Sequence, residues 1–452
     1  MISAPEKYER PSIKKLENTT PNKFGLLTSL SPVTHLDEVA VKDLVKEHGS
    51  PLFVVSEKKI RENIQEGKRA FSSRYPRVQF AWSYKTNYLD AVCQIFQQEG
   101  AWAEVVSGFE YEKAIRNGVP GSQIIFNGPH KSELELERAI LQNSFIHIDH
   151  FEELYTLISL ARKLKQRPKV AIRVNLDSGV YPMWDRFGFN YETGQAWDAL
   201  TRIMECDELD LVGLHCHLGT FILAPYAYST AVYKLADLMI HLKKKYNHDV
   251  DYLDLGGGFA SKNTLKGAFL PGSDTNPRID HYAQAITYAL LNAGLDSQNL
   301  PTLILESGRA LVDDAAWLIS TVIANKWLSS GKRATIIDAG VNILVTTAWY
   351  DHKIIPAQPF SHYTEDTSIY GPLCMNIDVI REQISLPLLS KGEQVVIHDV
   401  GAYNMTQWMQ FISYRPRIIL IDPSRQCHVI REAETSGIFS RQEHLPEHLK
   451  SL

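Results

Sequence analysis

A single lysine, Lys85, stands directly after the apolar run VQFAWSY, where a buried strand is expected to end. Most lysines in such a position simply extend into solvent. An amine held at the mouth of a pocket can instead act as a nucleophile, because desolvation lowers its pKa. The choice between these interpretations depends on the residues at the ends of the other strands.

Chemically active side chains accompany most of the other apolar runs. Acids end or follow several of them, and two histidines with one residue between them, His215 and His217, close the run LVGLHCH. A GGG sequence after VDYLDL is often only a tight turn, but it can also let backbone N–H groups approach a phosphate. The histidine spacing is compatible with a metal. No third ligand is evident nearby, so we predict that no metal is bound.

Each of these signals alone favours a structural role, but they coincide at successive strand ends. Together they describe a pocket with an amine nucleophile, a phosphate-binding loop, a flat ring that can stack and a carboxylate. Pyridoxal 5'-phosphate (PLP) requires these parts, because lysine forms the Schiff base and an acid pairs with the pyridine nitrogen. The sequence therefore predicts PLP as the cofactor and Lys85 as its anchor.

The elements that position these residues are eight short apolar runs, each followed by a helical pattern: VQFAWSY, AWAEVV, SQIIFN, FIHID, KVAIRVN, LVGLHCH, VDYLDL and TLILE. Continuous apolar runs are typical of parallel strands that are covered on both faces. Eight strand–helix units over about 250 residues is the size of a (β/α)8 barrel, in which functional residues lie where strands end. A doubly wound open sheet is the alternative, because periodicity does not show whether a sheet closes.

A second region begins after Arg309, where runs rich in β-branched residues alternate with turn residues. This pattern predicts a mostly antiparallel β domain with a boundary near residues 310–320. Within the first 35 residues, only FGLLTSL is a plausible ordered segment.

Composition restricts the class of protein. The 452 residues carry a formal charge of -5, which provides no positive face for nucleic acid. No apolar run is long enough to span a bilayer, and the first residues lack the apolar centre of a signal peptide. Five scattered cysteines without CxxC pairs are typical of reduced thiols. We therefore predict a cytoplasmic protein without nucleic-acid or membrane partners.

The motifs SYKTN, EVVSGFE, FNGPHK, GLHCHLGT, LDLGGGF, ESGR, GPLC and GAY stand in the order found in fold-type III PLP-dependent decarboxylases. Over roughly residues 50–425 the chain most resembles the diaminopimelate decarboxylase branch of that family. The resemblance implies an alanine racemase-like (β/α)8 barrel over 51–315 and a C-terminal, mainly antiparallel β domain over 316–452. Residues 1–50 would contribute to the β domain, and two chains would form a homodimer with shared active sites.

The resemblance also implies roles for individual residues. Lys85 would carry the cofactor, and Glu306 would hold the pyridine nitrogen protonated. Cys374, supplied by the second subunit, would act near the reacting carbon, and either it or Lys85 would return a proton there. His217 would stack on the ring, and Glu104 stands where the family usually has an aspartate. The other cofactor contacts would be Arg173, His215, Thr220, Gly256, Gly257, Gly258, Gly308, Arg309 and Tyr403.

Two departures from that branch concern the substrate. Diaminopimelate decarboxylases usually carry an Arg-Pro pair where this chain has Thr346 and Thr347, ahead of a retained Tyr350. Threonine cannot bind a carboxylate in the bidentate manner of arginine. In the segment CMNID, Met375 replaces the acid that recognises a distal ammonium, while Asp378 is retained.

We therefore predict a PLP-dependent amino-acid decarboxylase, a carboxy-lyase, whose substrate is not meso-diaminopimelate. A D- or L-diamino acid such as ornithine or lysine, or a citryl-diamino acid of siderophore assembly, would suit the altered residues. An amino-acid racemase on the same fold is an alternative, although racemases place arginine where this chain has Glu306. A non-catalytic regulatory homologue is another, although the chain retains Lys85 and Cys374. A cofactor carrier would be a shorter, barrel-only protein.

Overall fold

Eight parallel strands close into a barrel in the computed structural model, which describes residues 31–360 and 363–450. Each strand pairs with the next along the chain, and the last pairs with the first. A pairing between the fifth and sixth strands completes the circle. The predicted barrel is therefore confirmed, and the open-sheet alternative is wrong. In chain order, barrel strands 1 to 8 are Val78–Ser83, Trp102–Val105, Ile124–Phe126, Phe145–Ile148, Lys169–Asn175, Asp210–Cys216, Tyr252–Asp254 and Thr302–Leu305.

Helices surround the barrel. Helices follow the first seven strands and bury apolar residues against them; they are Asp90–Gln98, Gly108–Arg116, Glu133–Leu141, Phe151–Leu164, Gln195–Met204, Tyr226–Tyr246 and Ile279–Leu291. The helix Glu57–Ser72 precedes barrel strand 1, begins at a Ser56 cap and contacts the first and last of these helices. It therefore occupies the eighth position of the ring.

The barrel interior is filled by side chains below the strand ends. Ala81, Ile125, Ala171, Val212, Tyr252 and Ile304 form a small buried cluster there. Gly213 provides the space for the Tyr252 ring, because a Cβ at Gly213 would lie 2.3 Å from ring carbons. A closed lower core leaves only the upper, carboxyl end of the strands open to ligands.

The second sheet is mainly antiparallel, as predicted, and its long central strand is Ala316–Trp327. The strand Leu52–Ser56 pairs antiparallel with that strand and parallel with Ile418–Ile421. The range 51–315 assigned to the barrel from sequence therefore includes one strand of the second sheet. The remaining strands are Arg333–Ile337, Ile354–Pro356, Thr364–Tyr370, Val379–Pro387, Gln394–Ile397 and Cys427–Arg431.

The described part of residues 1–50 packs on this second sheet. Strands His35–Leu36 and Val39–Ala40 lead into the helix Val41–His48. Their apolar residues share a buried cluster with strand residues of the second sheet: Leu36, Val41, Leu44, Leu52, Val54, Ile319, Val396, Ile419 and Ile421. The segment FGLLTSL lies outside the described residues. Among residues 31–360 and 363–450, no helix has the length and apolar character needed to cross a membrane.

Candidate active site

Lys85 lies at the upper rim of the barrel, in a short turn that directly follows barrel strand 1. Its Nζ atom is 2.7 Å from Oε2 and 2.9 Å from Oε1 of Glu104, on barrel strand 2. Glu104 is fully buried and also accepts a hydrogen bond from Ser83, its neighbour in the strand register. The amine predicted to be a nucleophile therefore faces a buried carboxylate.

The charge of Lys85 is stabilised rather than suppressed. Burial disfavours the ammonium group, but the carboxylates of Glu104 and Glu306 outweigh that effect and raise the Lys85 pKa above its ordinary value. The expected net lowering of this pKa is therefore wrong in this structure: desolvation does lower it, but the nearby carboxylates raise it by more. The physical reason is that a nearby opposite charge favours the charged form of a group.

Glu306 follows barrel strand 8 and stands at the centre of a buried polar group. Asn127 donates from Nδ2 to Oε1 of Glu306, and the same amide lies 3.3 Å from Oε1 of Glu104. His215 has its Nε2 atom 3.4 Å from Oε2 of Glu306. Burial and the charge of Glu306 raise the pKa of Asp254, at the end of barrel strand 7, well above its ordinary value.

A second histidine, His147 on barrel strand 4, lies beneath this group. Its ring centroid is 4.8 Å from that of His215, and its Nε2 atom is 2.9 Å from the Tyr252 hydroxyl. Burial holds the pKa values of both histidines well below the ordinary value. His147, His215 and Glu306 each place one ligand atom within 4.8 Å of the others. The prediction that no metal is bound assumed that no third ligand lies near the histidines, and the structure shows that this assumption is wrong.

Arg173 and His217 lie on another side of the same opening. Arg173, on barrel strand 5, has Nη1 3.7 Å from Oδ1 of Asp149 and its guanidinium carbon 4.5 Å from the Phe187 ring centroid. His217 comes just after barrel strand 6, and its Nδ1 atom accepts a hydrogen bond from Gly257 N–H at 3.3 Å. Its ring centroid is 5.8 Å from that of Trp184.

The glycine loop after barrel strand 7 is packed too closely for side chains. A Cβ at Gly257 would lie 2.3 Å from the Glu306 carbonyl oxygen, and Gly258 has a φ of +93° that L side chains rarely adopt. Gly256 donates to Oδ1 of Asp254 at 2.8 Å. Nearby, Arg309 donates from Nη2 to the Thr220 hydroxyl at 3.2 Å.

A loop of the second sheet completes the rim. The backbone N–H of Tyr403 donates to the Thr86 carbonyl at 2.8 Å, and the Thr406 hydroxyl donates to the Lys85 carbonyl at 2.9 Å. Gly308 lies directly against the Thr86 side chain. The Lys85 turn is therefore held between the segment after barrel strand 8 and the GAY motif, residues 401–403.

Four aromatic rings surround the Arg309 guanidinium. Its carbon lies 4.6 Å from the Tyr403 ring centroid, 5.4 Å from that of Tyr350, 5.6 Å from that of Phe221 and 5.8 Å from that of Trp349. A desolvated guanidinium over ring faces is stabilised electrostatically. Tyr350, predicted as a substrate contact, is buried within this group.

The other predicted substrate residues have different surroundings. The Thr346 hydroxyl is buried, 2.8 Å from Nε2 of His352 and 2.8 Å from Oδ1 of Asn404. Both carboxylate oxygens of Asp378 accept backbone N–H groups, from Val341 at 2.8 Å and Leu373 at 2.7 Å. The structure therefore assigns Thr346 and Asp378 to internal hydrogen bonds and not to a free surface for a ligand.

Met375 and Cys374 lie in the loop that Asp378 supports. Met375 packs partly against the main apolar core, and Cys374 is exposed on this chain. The predicted contact of Cys374 with a neighbouring active site involves a second subunit, so its role stays a prediction.

The residues at the barrel rim fit PLP. Within the described residues, Nη1 of Arg309, the Ser307 hydroxyl and both ring nitrogens of His215 are buried without hydrogen-bond partners. An anion would satisfy the unpartnered guanidinium N–H of Arg309, whose Nη2 atom already donates to Thr220. Lys85, Glu306 and these groups together provide the amine, the acid and the anion donors that PLP requires.

Comparisons with known proteins agree with this arrangement. Residues 59–313 match the family model described as the pyridoxal-binding domain of pyridoxal-dependent decarboxylases. The diaminopimelate decarboxylase of Methanocaldococcus jannaschii is 30% identical over 431 residues, covering 90% of this chain and 94% of that protein. The enzyme of the same name from Archaeoglobus fulgidus is 29% identical over 427 residues, covering 92% and 97%.

A solved structure supports the same relationship. The crystal structure of the M. jannaschii diaminopimelate decarboxylase superposes with a TM-score of 0.84 at 28% identity, covering 92% of this chain and 96% of that one. The chain belongs to the fold-type III PLP-dependent decarboxylases, in the branch of the diaminopimelate decarboxylase type. It is a carboxy-lyase, and its cofactor is PLP.

Sequence reasoning missed two residues of the site. Asn127 and His147 received no role, although a positional signal existed for each. Asn127 is the first residue after barrel strand 3. His147 is the penultimate residue of its strand, as Glu104 and His215 are of theirs. Position relative to the strand end was therefore more informative than residue type.

Proposed function

We propose that this enzyme decarboxylates an amino acid that lacks the free distal carboxylate and ammonium pair of meso-diaminopimelate. A D- or L-diamino acid such as ornithine or lysine, or a diamino acid acylated on its distal amine, as in a citryl-diamino acid of siderophore assembly, would fit this description. The observation that carries the proposal concerns Thr346, which stands where the diaminopimelate branch is expected to have an arginine. Its hydroxyl is occupied by His352 and Asn404.

The distal ammonium site argues in the same direction. Asp378 is the acid retained in the CMNID segment, but both of its oxygens hold backbone N–H groups. Met375 adds an apolar thioether beside it. Leaving a buried charge without a partner costs about 2–5 kcal/mol in recognition, so a bare distal ammonium would be disfavoured there. Among the proposed substrates, this favours the acylated diamino acids over free lysine and ornithine.

For the reaction, we assign each role to a residue at the rim. PLP, when bound, accepts the electron pair that the loss of CO2 leaves on the α carbon. Glu306 would keep a negative charge beside the pyridine nitrogen, and Asn127 orients its carboxylate. The glycine loop, Arg309, Thr220 and Tyr403 would hold the phosphate, Arg173 would lie near the ring's phenolic oxygen, and Glu104 would orient the Lys85 amine.

We also propose that the working enzyme is a homodimer and acts in the cytoplasm. Cys374 is exposed on this chain, and Ile377 beside it is 66% exposed, as expected of a loop that a second subunit covers. From there Cys374 would reach the partner's site, where it or Lys85 would return the proton to the α carbon. All five cysteines are unpaired, which suits a reducing compartment.

The decisive experiment measures CO2 release from a panel of amino acids by the purified, PLP-loaded enzyme. The panel contains meso-diaminopimelate, both enantiomers of lysine and ornithine, and their distal N-acyl derivatives. We expect kcat/KM for meso-diaminopimelate to be at least about tenfold below that of the best substrate, which corresponds to about 1.4 kcal/mol. The Lys85→Ala variant is the control for release that does not require the anchored cofactor.

Two results would contradict the proposal. If meso-diaminopimelate had the highest kcat/KM, the substrate argument from Thr346 and Asp378 would fail while the decarboxylase assignment stood. If no amino acid released CO2 but the α-hydrogen exchanged and the enantiomers interconverted, the reaction itself would be a racemisation.

A further inference from the structure

A buried carboxylate outside the strand ends, Asp313, joins two loops of the rim. Only 2% of its surface is exposed. Its Oδ2 atom accepts hydrogen bonds from the Ser261 hydroxyl at 2.5 Å and from Nδ2 of Asn263 at 2.8 Å. Both donors belong to the segment that continues from the glycine loop after barrel strand 7.

The other side of Asp313 holds the GAY motif. Its Oδ1 atom accepts from the Ala402 N–H at 3.3 Å, and its carbonyl oxygen accepts from the Gly401 N–H at 3.0 Å. Asn263 reinforces the connection, because its Nδ2 atom also donates to the Asp399 carbonyl at 2.8 Å. One side chain therefore ties the second sheet to the barrel loop.

Hydrogen bonds also hold the GAY motif on its opposite side. Asn87 donates from Nδ2 to the Gly401 carbonyl at 3.0 Å, and Tyr403 donates from its N–H to the Thr86 carbonyl. Tyr403 has a φ of +66°, a conformation that L residues adopt only when their surroundings impose it. The Tyr403 ring lies 4.6 Å from the Arg309 guanidinium carbon.

The groups that contact Asp313 also affect its pKa. Burial raises its pKa to about 6, while Arg309 and the hydrogen bonds from Ser261, Asn263 and Ala402 act to lower it. Asp313 is four residues after Arg309, on the segment that continues from barrel strand 8. A carboxylate whose two oxygens both accept hydrogen bonds keeps one orientation, because rotation would leave a donor unpaired.

We propose that Asp313 is a positioning residue for the phosphate end of the site, acting through the glycine-loop segment and the GAY motif to fix Arg309 and Tyr403. In this role Asp313 takes no part in the chemistry of decarboxylation and acts only through these two segments. The inference rests on the proposed binding of the PLP phosphate by the glycine loop, Arg309 and Tyr403.

The test compares two ligands that differ only in the phosphate. The full-length enzyme is freed of cofactor and titrated with PLP and with pyridoxal, following the quenching of tryptophan fluorescence. In Asp313→Asn an amide N–H meets one of the donors, so we expect the affinity for PLP to fall by about tenfold. The affinity for pyridoxal should change by less than about twofold, because pyridoxal does not use the phosphate site.

A matched control is Asp314→Asn, which removes the same charge one residue later. Asp314 is partly exposed, and it accepts hydrogen bonds from Lys262 at 2.6 Å and from Nδ2 of Asn63 at 2.7 Å rather than from the GAY motif. We expect its affinities for both ligands to equal those of the wild type. If Asp313→Asn does not fold, Ser261→Ala removes a single donor and should weaken PLP binding selectively, by about threefold.

The outcomes separate this proposal from the proposed site itself. An equal loss of affinity for PLP and pyridoxal in the Asp313 or Ser261 variant would show a general structural role and overturn the proposal. No change in either affinity would also overturn it. If the wild-type enzyme bound both ligands equally well, the phosphate site would be misplaced, and this proposal would fall with it.

Discussion

The Lys85 ammonium and the Glu104 carboxylate form a two-contact pair across barrel strands 1 and 2, with Nζ–O distances of 2.7 and 2.9 Å. Glu104 is fully buried, so its charge acts on Lys85 with little screening by water. The pair therefore raises the pKa of the amine that receives the cofactor, and Glu306 adds to this effect.

Replacing Glu104 should make Lys85 more reactive toward free PLP. Glu104→Gln removes the carboxylate that chiefly raises the Lys85 pKa, so that pKa should fall and the free amine become more abundant at neutral pH. The rate of covalent attachment at pH 7.5 should rise about tenfold for each unit by which the pKa falls. Stopped-flow absorbance of PLP added to the cofactor-free enzyme measures this rate. Glu112→Gln, on an exposed helix position, is the control, and a slower attachment in Glu104→Gln would contradict the argument.

Glu306→Gln should impair turnover much more than cofactor binding. The amide keeps the size of the side chain but cannot hold a negative charge beside the pyridine nitrogen. We expect kcat to fall by about 10²–10³-fold. Titration of the cofactor-free enzyme should show the PLP affinity within about tenfold of the wild type. Equal losses in both measurements would place Glu306 away from the ring nitrogen.

Thr346→Val should destabilise the protein without changing substrate binding. The substitution leaves Nε2 of His352 and Oδ1 of Asn404 without the hydroxyl that lies between them. The free energy of unfolding should fall by about 1–3 kcal/mol, as measured by urea denaturation. KM for the best substrate should stay within about twofold. Thr346→Ser retains the hydroxyl and should behave as the wild type. A large rise in KM for Thr346→Val alone would show that Thr346 contacts the substrate after all.

The stability of the protein should decrease between pH 7 and pH 5, partly through His352. Burial lowers the pKa of His352 to about 4. The unfolded chain takes up a proton near pH 6.5 while the folded chain does not, so the folded state loses free energy as the pH falls below 6.5 toward 4. Between pH 7 and pH 5 this amounts to about 2 kcal/mol. Between pH 7 and pH 5, the free energy of unfolding measured by urea denaturation should fall by that much less in His352→Gln than in the wild type. The control variant His241→Gln, at an exposed position, should match the wild type. Equal losses in the wild type and both variants would refute the role of His352.

Active sites shared between subunits can be tested by complementation. Lys85→Ala removes the cofactor anchor, and Cys374→Ala removes the thiol that a partner subunit would supply, so each homodimer should have little activity. Mixing, denaturing and refolding them together should restore about a quarter of the wild-type activity, because half of the dimers are mixed and each contains one intact site. No recovery, or full activity of Cys374→Ala alone, would contradict the arrangement.

The barrel could be predicted because its signals are local. Each continuous apolar run reports burial on both faces, and the predicted run VQFAWSY at 78–84 corresponds to the strand Val78–Ser83. Parallel strands that close into a barrel carry their carboxyl ends to one rim, so the residues after each run had to meet. Lys85, Glu104, His215 and Glu306 do so.

The misassignments concern residues whose partners are distant in the sequence. The strand Leu52–Ser56 reads like a barrel strand, but its neighbours in the sheet are Ala316–Trp327 and Ile418–Ile421. Asp378 was read as an acid for a ligand, yet its oxygens cap two backbone segments. A residue type shows which hydrogen bonds a side chain can make, but not whether a backbone group already occupies it.

The amino-acid sequence by itself determined the strand–helix order and the set of side chains that share the barrel rim, since both follow from periodicity and from the geometry of parallel strands. Only the tertiary structure decided the charge of Lys85, the internal role of Thr346, the presence of His147 beside His215 and the attachment of the GAY motif through Asp313. These properties depend on distances between groups that are far apart in the chain, such as Asn87 and Gly401, 314 residues apart and joined by one hydrogen bond. Electrostatic and hydrogen-bond energies vary steeply with such distances, and no local pattern encodes them.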